Sequence, residues 1–113
     1  MKTIYIAGPM RGYENYNFPA FFKAEKEFRE KGFEVINPAA LDIKNEVDPY
    51  CFPKDYNWNE EPDDIPISVF VLRDVKALTK CTHIYLMKGW EESIGANAEL
   101  AISKWLKLIA LYE

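Results

Sequence analysis

Glu99 is the residue whose type and position best support chemistry in this sequence. It follows a stretch of small and acidic residues, GWEESIGANA at residues 89–98, which comes after a short apolar run at residues 84–87. In an open α/β sheet, ligands bind beyond the carboxyl ends of the strands, and the N-terminus of a following helix favours an anion. The order of strand, small-residue loop and helix therefore predicts a small-molecule site here. Glu99 is either a catalytic carboxylate or a first-turn glutamate that complements the helix dipole.

Asp74 is a second carboxylate in an unusual position. The spacing of apolar residues such as Val71, Val75 and Leu78 predicts a helix over about residues 67–80, and Asp74 falls on its apolar face. A carboxylate on a buried face raises the free energy of the folded state unless it has a partner. Two explanations stay open at this point: an ion pair with Arg73 or a neighbouring lysine, or a functional role.

Two carboxylates that face one pocket from separate helices suit the cleavage of a glycosidic bond. One attacks or stabilises the anomeric carbon while the other protonates the leaving group, and no metal is needed. A nucleophile activated by histidine is excluded, because His83 is the only histidine and lies inside a strand pattern. With one histidine and two cysteines, no Cys/His metal set can be assembled, so we expect neither a metal site nor a cofactor.

A second candidate loop follows the first predicted strand. Its sequence is Gly8-Pro9-Met10-Arg11-Gly12, which differs from the Gly-x-Gly-x-x-Gly dinucleotide fingerprint. A glycine at each end and one arginine could cradle a single phosphate, because arginine supplies a planar pair of donors. The alternative is an ordinary turn with a solvent-exposed arginine.

The remaining pattern predicts one domain over residues 1–113. Strands are expected at about residues 3–7, 33–37, 82–87 and 108–111, and helices at about 19–31, 67–80 and 94–105. Strand, helix and strand joined by a right-handed crossover imply a parallel sheet. We therefore expect an α/β fold, a Rossmann-like (flavodoxin-like) sheet of four or five strands with helices on both faces.

Residues 38–66 are predicted to form an irregular loop, rich in proline and aromatic residues. Such a loop could be a lid over the site, a subunit contact or a segment that packs on itself. The sequence does not rank the first two.

Composition excludes several classes of function. A hydrophobic share of 49% and an aromatic share of 15% are typical of a globular chain, and the aromatic surplus predicts self-association. A net charge of -4 argues against binding a nucleic-acid polymer, which requires clustered lysine and arginine. No apolar run approaches the roughly 20 residues that span a bilayer, and no signal-peptide core precedes the first strand. We therefore predict a cytoplasmic protein that does not associate with membranes.

Three segments carry a resemblance to a known family. They are IYIAGPMRG at residues 4–12, RDVKAL at 73–78 and GWEESIGANAEL at 89–100. In order and spacing they resemble the nucleoside 2-deoxyribosyltransferase superfamily. They are most similar to a small branch of unassigned function, frequently carried by phages, and are also similar to the 2'-deoxynucleoside 5'-monophosphate N-hydrolases. The resemblance implies a nucleotide or nucleoside substrate and a pocket completed by a neighbouring subunit, hence a homodimer or higher homo-oligomer.

The resemblance also implies roles for individual residues. A glutamate at the position of Glu99 is the nucleophile that takes the deoxyribose, an aspartate at Asp74 assists the departing base, and a tyrosine at Tyr5 orients the glutamate. Ser93 stands where monophosphate hydrolases carry serine and nucleoside transferases carry aspartate. A hydroxyl donates to a phosphate, whereas a carboxylate repels it. Arg11 matches an arginine in the phosphate loop of the hydrolases.

Other residues of the two loops are implied to bind substrate. They are Gly8, Pro9, Met10, Gly12, Trp90, Gly95 and Ala96. The sequence departs from the family pattern at Thr82, where the hydrolases carry an aspartate. It also ends at Glu113, before the C-terminal segment with which a neighbouring subunit completes the pocket in the family.

Three hypotheses about function follow. The leading one is an N-glycosidase that cleaves the base–deoxyribose bond of a 2'-deoxynucleoside 5'-monophosphate, or a closely related deoxyribosyltransferase. The alternative is a nucleotide-binding or nucleotide-sequestering protein without turnover. The third is a structural subunit that uses the aromatic loop as its contact.

Overall fold

The sheet contains four parallel strands. A computed structural model of the chain describes residues 1–44 and 67–113, and in these residues the strands are β1 (Thr3–Ala7), β2 (Glu34–Ile36), β3 (His83–Leu86) and β4 (Ile109–Tyr112). Their order across the sheet is β2-β1-β3-β4, and each neighbouring pair is parallel. The predicted parallel α/β sheet is confirmed, and its order is that of a Rossmann-like fold.

This strand order places a switch point between β1 and β3. The chain leaves β1 toward β2 on one side, and it later returns to add β3 and β4 on the other side. Ligands of open α/β sheets bind at the carboxyl edge of such a switch point. The two loops singled out in the sequence, at residues 8–12 and 89–93, follow these two strands and therefore flank it.

Among the residues that the structure describes, four α-helices connect the strands. They are α1 (Phe18–Glu30), α2 (Pro38–Lys44), α3 (Ile67–Leu78) and α4 (Ile94–Trp105). The three predicted helices and four predicted strands agree with these bounds to within two residues. In α1, the proline lies in the first turn and Gly32 follows the last turn at a φ of +90°, as the sequence predicted.

The prediction that residues 38–44 begin an irregular loop was wrong, because they form α2. Asn37 caps this helix, since its Oδ1 accepts a hydrogen bond from the Ala39 backbone N–H at 2.9 Å. Pro38 occupies the first helical position, where its missing N–H loses no hydrogen bond. The rest of the predicted loop, residues 45–66, lies outside the described residues.

Helices cover both faces of the sheet. Because successive strand residues point to opposite faces, Tyr5 and Ala7 pack with Leu78 of α3 and Leu100 of α4, whereas Ile6 packs with the phenylalanines of α1. The predicted two-sided architecture is thus confirmed. In the part of the chain that the structure describes, no helix is long and apolar enough to cross a membrane.

Candidate active site

Tyr5 and Glu99 meet although 94 residues separate them in sequence. The Tyr5 hydroxyl donates a hydrogen bond to Glu99 Oε2. Tyr5 lies in the middle of β1 and is fully buried, with its ring in the apolar cluster beneath α3 and α4. Glu99 lies in the second turn of α4 and is partly buried. The strand therefore supplies a rigid donor that fixes one oxygen of the glutamate.

Asp74 joins the same group from α3. The charge of Asp74 acts on both Tyr5 and Glu99. The structure thus brings Tyr5, Asp74 and Glu99 together on one face of the sheet. Two carboxyl groups from separate helices on one face are the arrangement that the glycosidase hypothesis requires.

Arg73 contacts Asp74 and a carboxylate that the sequence did not single out. Its Nη2 lies 2.8 Å from Asp74 Oδ1 and 2.7 Å from Asp42 Oδ1, and its Nε donates to Asp74 Oδ1 at 2.9 Å. The ion pair between Arg73 and Asp74 that the sequence offered as one explanation is therefore present. Asp42 is buried and lies in α2, the helix that sequence patterns missed. The asparagine–proline pair before it was the signal that could have revealed this helix.

Burial raises the proton affinity of all three carboxyl groups. Burial, reinforced by the charge of Asp74 and opposed by the Tyr5 hydrogen bond, raises the pKa of Glu99 to about 8. Burial raises the pKa of Asp42 to about 6 against the opposing contact with Arg73, and it also raises the pKa of Asp74. Burial and the nearby carboxylates raise the pKa of Tyr5. At neutral pH Glu99 therefore retains a proton that an exposed glutamate would lose.

Ser93 precedes α4 and caps its N-terminus. Its Oγ accepts a hydrogen bond from the Ala96 backbone N–H at 3.1 Å. Ala96 is buried, whereas Gly95 beside it is exposed. The Trp90 ring lies between the core and the Tyr112 ring, with ring centroids 5.8 Å apart. These residues form a helix start with little side-chain bulk at its first turn.

Asn97 holds this loop in shape, a role that the sequence pattern did not indicate. Its Nδ2 donates to the backbone oxygens of Trp90, Glu91 and Ser93 at 3.2, 3.0 and 2.9 Å. One amide group thus contacts three carbonyls of the turn that leads to the cap.

The loop after β1 packs against the loop after β3. At Gly89, whose φ is +92°, an added Cβ would lie 2.6 Å from the Tyr13 hydroxyl and 3.1 Å from Pro9 Cγ. At Gly8 an added Cβ would lie 2.7 Å from Met87 Cε. Gly89 is therefore needed for the close approach of the two loops, whereas a side chain at Gly8 would require Met87 to move.

The remaining residues of the first loop vary in exposure. Asn17 Nδ2 donates to Pro9 O at 2.7 Å and fixes the loop from the start of α1. Met10 packs partly against the apolar cluster beneath α1, Gly12 has a φ of +84°, and Arg11 is exposed. The structure therefore places Arg11 and Ser93 in adjacent loops at the carboxyl edge.

A protein-family model matches residues 2–112, and its description is "Domain of unknown function (DUF4406)". The chain belongs to this family. The match includes both loops and all five residues of the buried cluster, Tyr5, Asp42, Arg73, Asp74 and Glu99. A comparison with curated proteins gives no match. The description of the family states no activity, so the resemblance to nucleoside 2-deoxyribosyltransferases stays a prediction.

Thr82, where this DUF4406 chain departs from the hydrolase pattern, has a structural role. Its Oγ1 donates to Thr3 O at 3.1 Å and accepts from the Thr3 backbone N–H at 3.0 Å. These contacts join β1 and β3 at their amino ends, opposite the edge that carries the loops. Within the described part of the DUF4406 domain, no three His, Cys, Asp or Glu side chains are arranged to hold a metal ion.

Proposed function

We propose that this protein is an N-glycosidase that cleaves the base–deoxyribose bond of a 2'-deoxynucleoside 5'-monophosphate, or a closely related deoxyribosyltransferase. The observation that carries the proposal is the hydrogen bond from Tyr5 to Glu99 together with the Asp74 carboxyl group, whose charge acts on both residues. The pair comes from separate helices on one face of the sheet, below the switch point where ligands bind. The resemblance of the two loops and the Arg73–Asp74 segment to nucleoside 2-deoxyribosyltransferases supports the same activity.

In the proposed reaction, a carboxylate oxygen of Glu99 attacks the anomeric carbon as the bond to the base nitrogen breaks. The electron pair of that bond goes to the base, which takes a proton from Asp74. Water, or a second base in a transferase, then attacks the anomeric carbon, gives a proton to the Asp74 carboxylate and releases Glu99 as a carboxylate. Burial raises the pKa of Asp74, which is the direction that a proton donor requires.

Tyr5 prepares Glu99 for this step. Its hydroxyl binds Oε2, so Oε1 is left for the attack. The same hydrogen bond stabilises the ionised glutamate and opposes the effect of burial on its pKa. Tyr5 itself stays protonated, since burial and two carboxylates raise its pKa.

The two loops are proposed to bind the 5'-phosphate. A serine hydroxyl has two acceptor lone pairs and one proton, so Ser93 can accept from Ala96 and still donate to a phosphate oxygen. The first turn of α4 adds backbone N–H groups, and Arg11 adds a planar pair of donors. Gly12 and Gly95 leave room for the phosphate beside the backbone.

The proton held by Glu99 favours a second candidate function, a nucleotide-binding protein without turnover. A carboxyl group whose burial raises its pKa to about 8 is mostly protonated at neutral pH, and a protonated carboxyl group is a poor nucleophile. If Glu99 is the nucleophile, kcat/KM must rise with pH toward about 8, because this rise supplies the ionised form.

Incubation with each deoxynucleoside monophosphate, ribonucleoside monophosphate and deoxynucleoside tests the proposal. Chromatography measures free base and sugar phosphate over a range of pH. Release of base from deoxynucleoside monophosphates alone, increasing toward pH 8, supports the glycosidase. Tight binding in calorimetry with no base released by any substrate supports the sequestering alternative.

We also propose that the protein self-associates. Apolar side chains at both ends of α4 are exposed, with Ile94 at 90% and Trp105 at 87%. Exposed apolar side chains favour contact with a second copy of the chain. The aromatic surplus of the sequence and the shared pockets of the family that it resembles support the same proposal. Light scattering is expected to give a dimer or a higher even-numbered oligomer, and a monomer at all working concentrations would remove this part of the proposal.

A further inference from the structure

Arg73 bridges carboxylates from two different helices. Its Nη2 lies between Asp42 Oδ1 on α2, at 2.7 Å, and Asp74 Oδ1 on α3, at 2.8 Å. The guanidinium carbon also lies 5.2 Å from the centre of the Phe70 ring. The reaction proposed above gives no role to Arg73 or Asp42. Both side chains are nevertheless largely buried, at 20% and 7% exposure.

The contact between Arg73 and Asp74 is unusual for a helix. Consecutive residues of a helix point about 100° apart and do not face each other, unlike residues three or four apart. The arginine must therefore be held against its neighbour by a contact from outside its own helix turn. Asp42 provides that contact, because it binds the same nitrogen that reaches Asp74.

We propose that Asp42 and Arg73 are positioning residues, in which Asp42 anchors the Arg73 guanidinium and the guanidinium holds the Asp74 carboxyl group at the Tyr5–Glu99 pair. The effect of this anchor on catalysis rests on the proposed function. The positioning of Asp74 by Arg73 and Asp42 does not depend on that function. Four charged or titratable groups act on Asp74 or its partners: Tyr5 from β1, Glu99 from α4, Arg73 from α3 and Asp42 from α2.

The protonation of Asp74 reports the position of Arg73. Burial raises the pKa of Asp74, and the charge and hydrogen bond of Arg73 lower it. If Arg73 moves away, the pKa of Asp74 must rise further. If only the negative charge of Asp42 is lost while Arg73 stays in place, the pKa of Asp74 must fall or stay the same, because a repelling neighbour has gone.

Two substitutions of Asp42 separate these effects. Asp42→Asn and Asp42→Ala remove the same charge, but only asparagine keeps a side-chain oxygen that can accept from Arg73. Titration of Asp74, followed by the carbon NMR signals of labelled aspartate side chains, is expected to give a lower or unchanged pKa with Asp42→Asn and a higher pKa with Asp42→Ala. Shifts in the same direction, or no shift with Asp42→Ala, would overturn the inference.

Arg73→Lys gives a second test if Asp42→Ala does not fold. Lysine keeps the positive charge but lacks the planar fork that holds two carboxylates, so the pKa of Asp74 should rise. An unchanged pKa would contradict the anchor. Arg29→Ala is the matched control, since it removes the exposed Arg29–Glu25 pair of α1 and should leave Asp74 unchanged.

Kinetics then separate this inference from the proposed function. Asp42→Ala is expected to lower kcat by about 10-fold with little change in KM, because a displaced acid affects the chemical step more than binding. A wild type that cleaves no substrate, together with opposite pKa shifts in the two Asp42 variants, would refute the proposed function and keep the anchor. An active wild type with equal shifts would refute the anchor alone.

Discussion

The two faces of the sheet pack against different kinds of side chain, although β1 supplies residues to both. On the α1 face, Ile6 packs against Phe18, Phe21 and other apolar residues, and the buried cluster there is apolar. On the α3/α4 face, Tyr5 extends through an apolar cluster to ionisable groups. Packing alone explains the first face. The second holds buried carboxyl groups that destabilise the fold, so their presence is better explained by a function.

The largest expected effect is on the ionisable face. Glu99→Gln keeps the shape of the side chain but removes the nucleophile, so base release should fall by at least about a thousandfold while nucleotide binding changes little. Chromatography and calorimetry measure the two quantities. Glu91→Gln is the matched control, because Glu91 is an exposed glutamate in the adjacent loop, and it should keep full activity. Unchanged turnover in Glu99→Gln would remove Glu99 from the mechanism.

A change on the apolar face should affect stability and nothing else. Phe21→Ala removes a ring that is 1% exposed, so the free energy of unfolding should fall by about 3–5 kcal/mol. Phe22→Ala is the neighbouring control, because its ring is 39% exposed and its loss should cost about 1 kcal/mol or less. Urea unfolding at neutral pH compares them. An equal decrease in unfolding free energy in the two variants would mean that Phe21 is not the buried residue of the pair.

Stability should depend on pH through the ionisable face. Burial raises the pKa of Glu99 from 4.5 to about 8, so the folded state holds this proton more tightly than the unfolded state. Its contribution to stability is complete below about pH 4.5 and is lost as the pH rises through about 8. Glu99→Gln removes this titration, so the decrease in unfolding free energy from pH 5 to pH 9 should be smaller in the variant than in the wild type by about 4 kcal/mol.

Urea unfolding of the wild type and Glu99→Gln at both pH values measures that difference. Asp42 and Asp74 also have raised pKa values because of burial, so a smaller pH dependence should remain in the variant. Equal pH dependence in the two proteins would show that Glu99 is not buried as described.

The smallest expected effect is at Asn97, which holds the loop beside the ionisable face. Asn97→Ala removes donors to three backbone carbonyls. Because the side chain is exposed, the binding free energy of the nucleotide should weaken by only about 1 kcal/mol, which is a few-fold weaker affinity. Asn97→Asp should weaken binding more, since it replaces the donors with a charge that the same carbonyls repel. Identical affinity in all three proteins would show that the loop keeps its shape without this contact.

The same contrast explains what the sequence could predict. Strands and three helices were predictable because their apolar periodicity is local, and Asp74 was noticeable because it interrupts the apolar face of a helix. α2 was missed because Pro38 was interpreted as the end of a strand, whereas after the Asn37 cap it begins a helix.

Contacts between elements that are distant in sequence were not predictable from periodicity. The pairing of Arg73 with Asp42 depends on where α2 packs, and no local pattern contains that information. The juxtaposition of Tyr5 and Glu99 was expected only through the resemblance to a known family. Strand alternation says which face Tyr5 occupies, but not which helix residue its hydroxyl reaches.

The covalent step at Glu99 is the central feature of the proposed mechanism. The direct measurement is intact-mass spectrometry of the wild type after rapid quenching with a deoxynucleoside monophosphate that it cleaves slowly, followed by peptide mapping. We predict a deoxyribose phosphate adduct on Glu99 that is absent from Glu99→Gln. Base release without any adduct, or with an adduct on another residue, would contradict the assignment of Glu99 as the nucleophile.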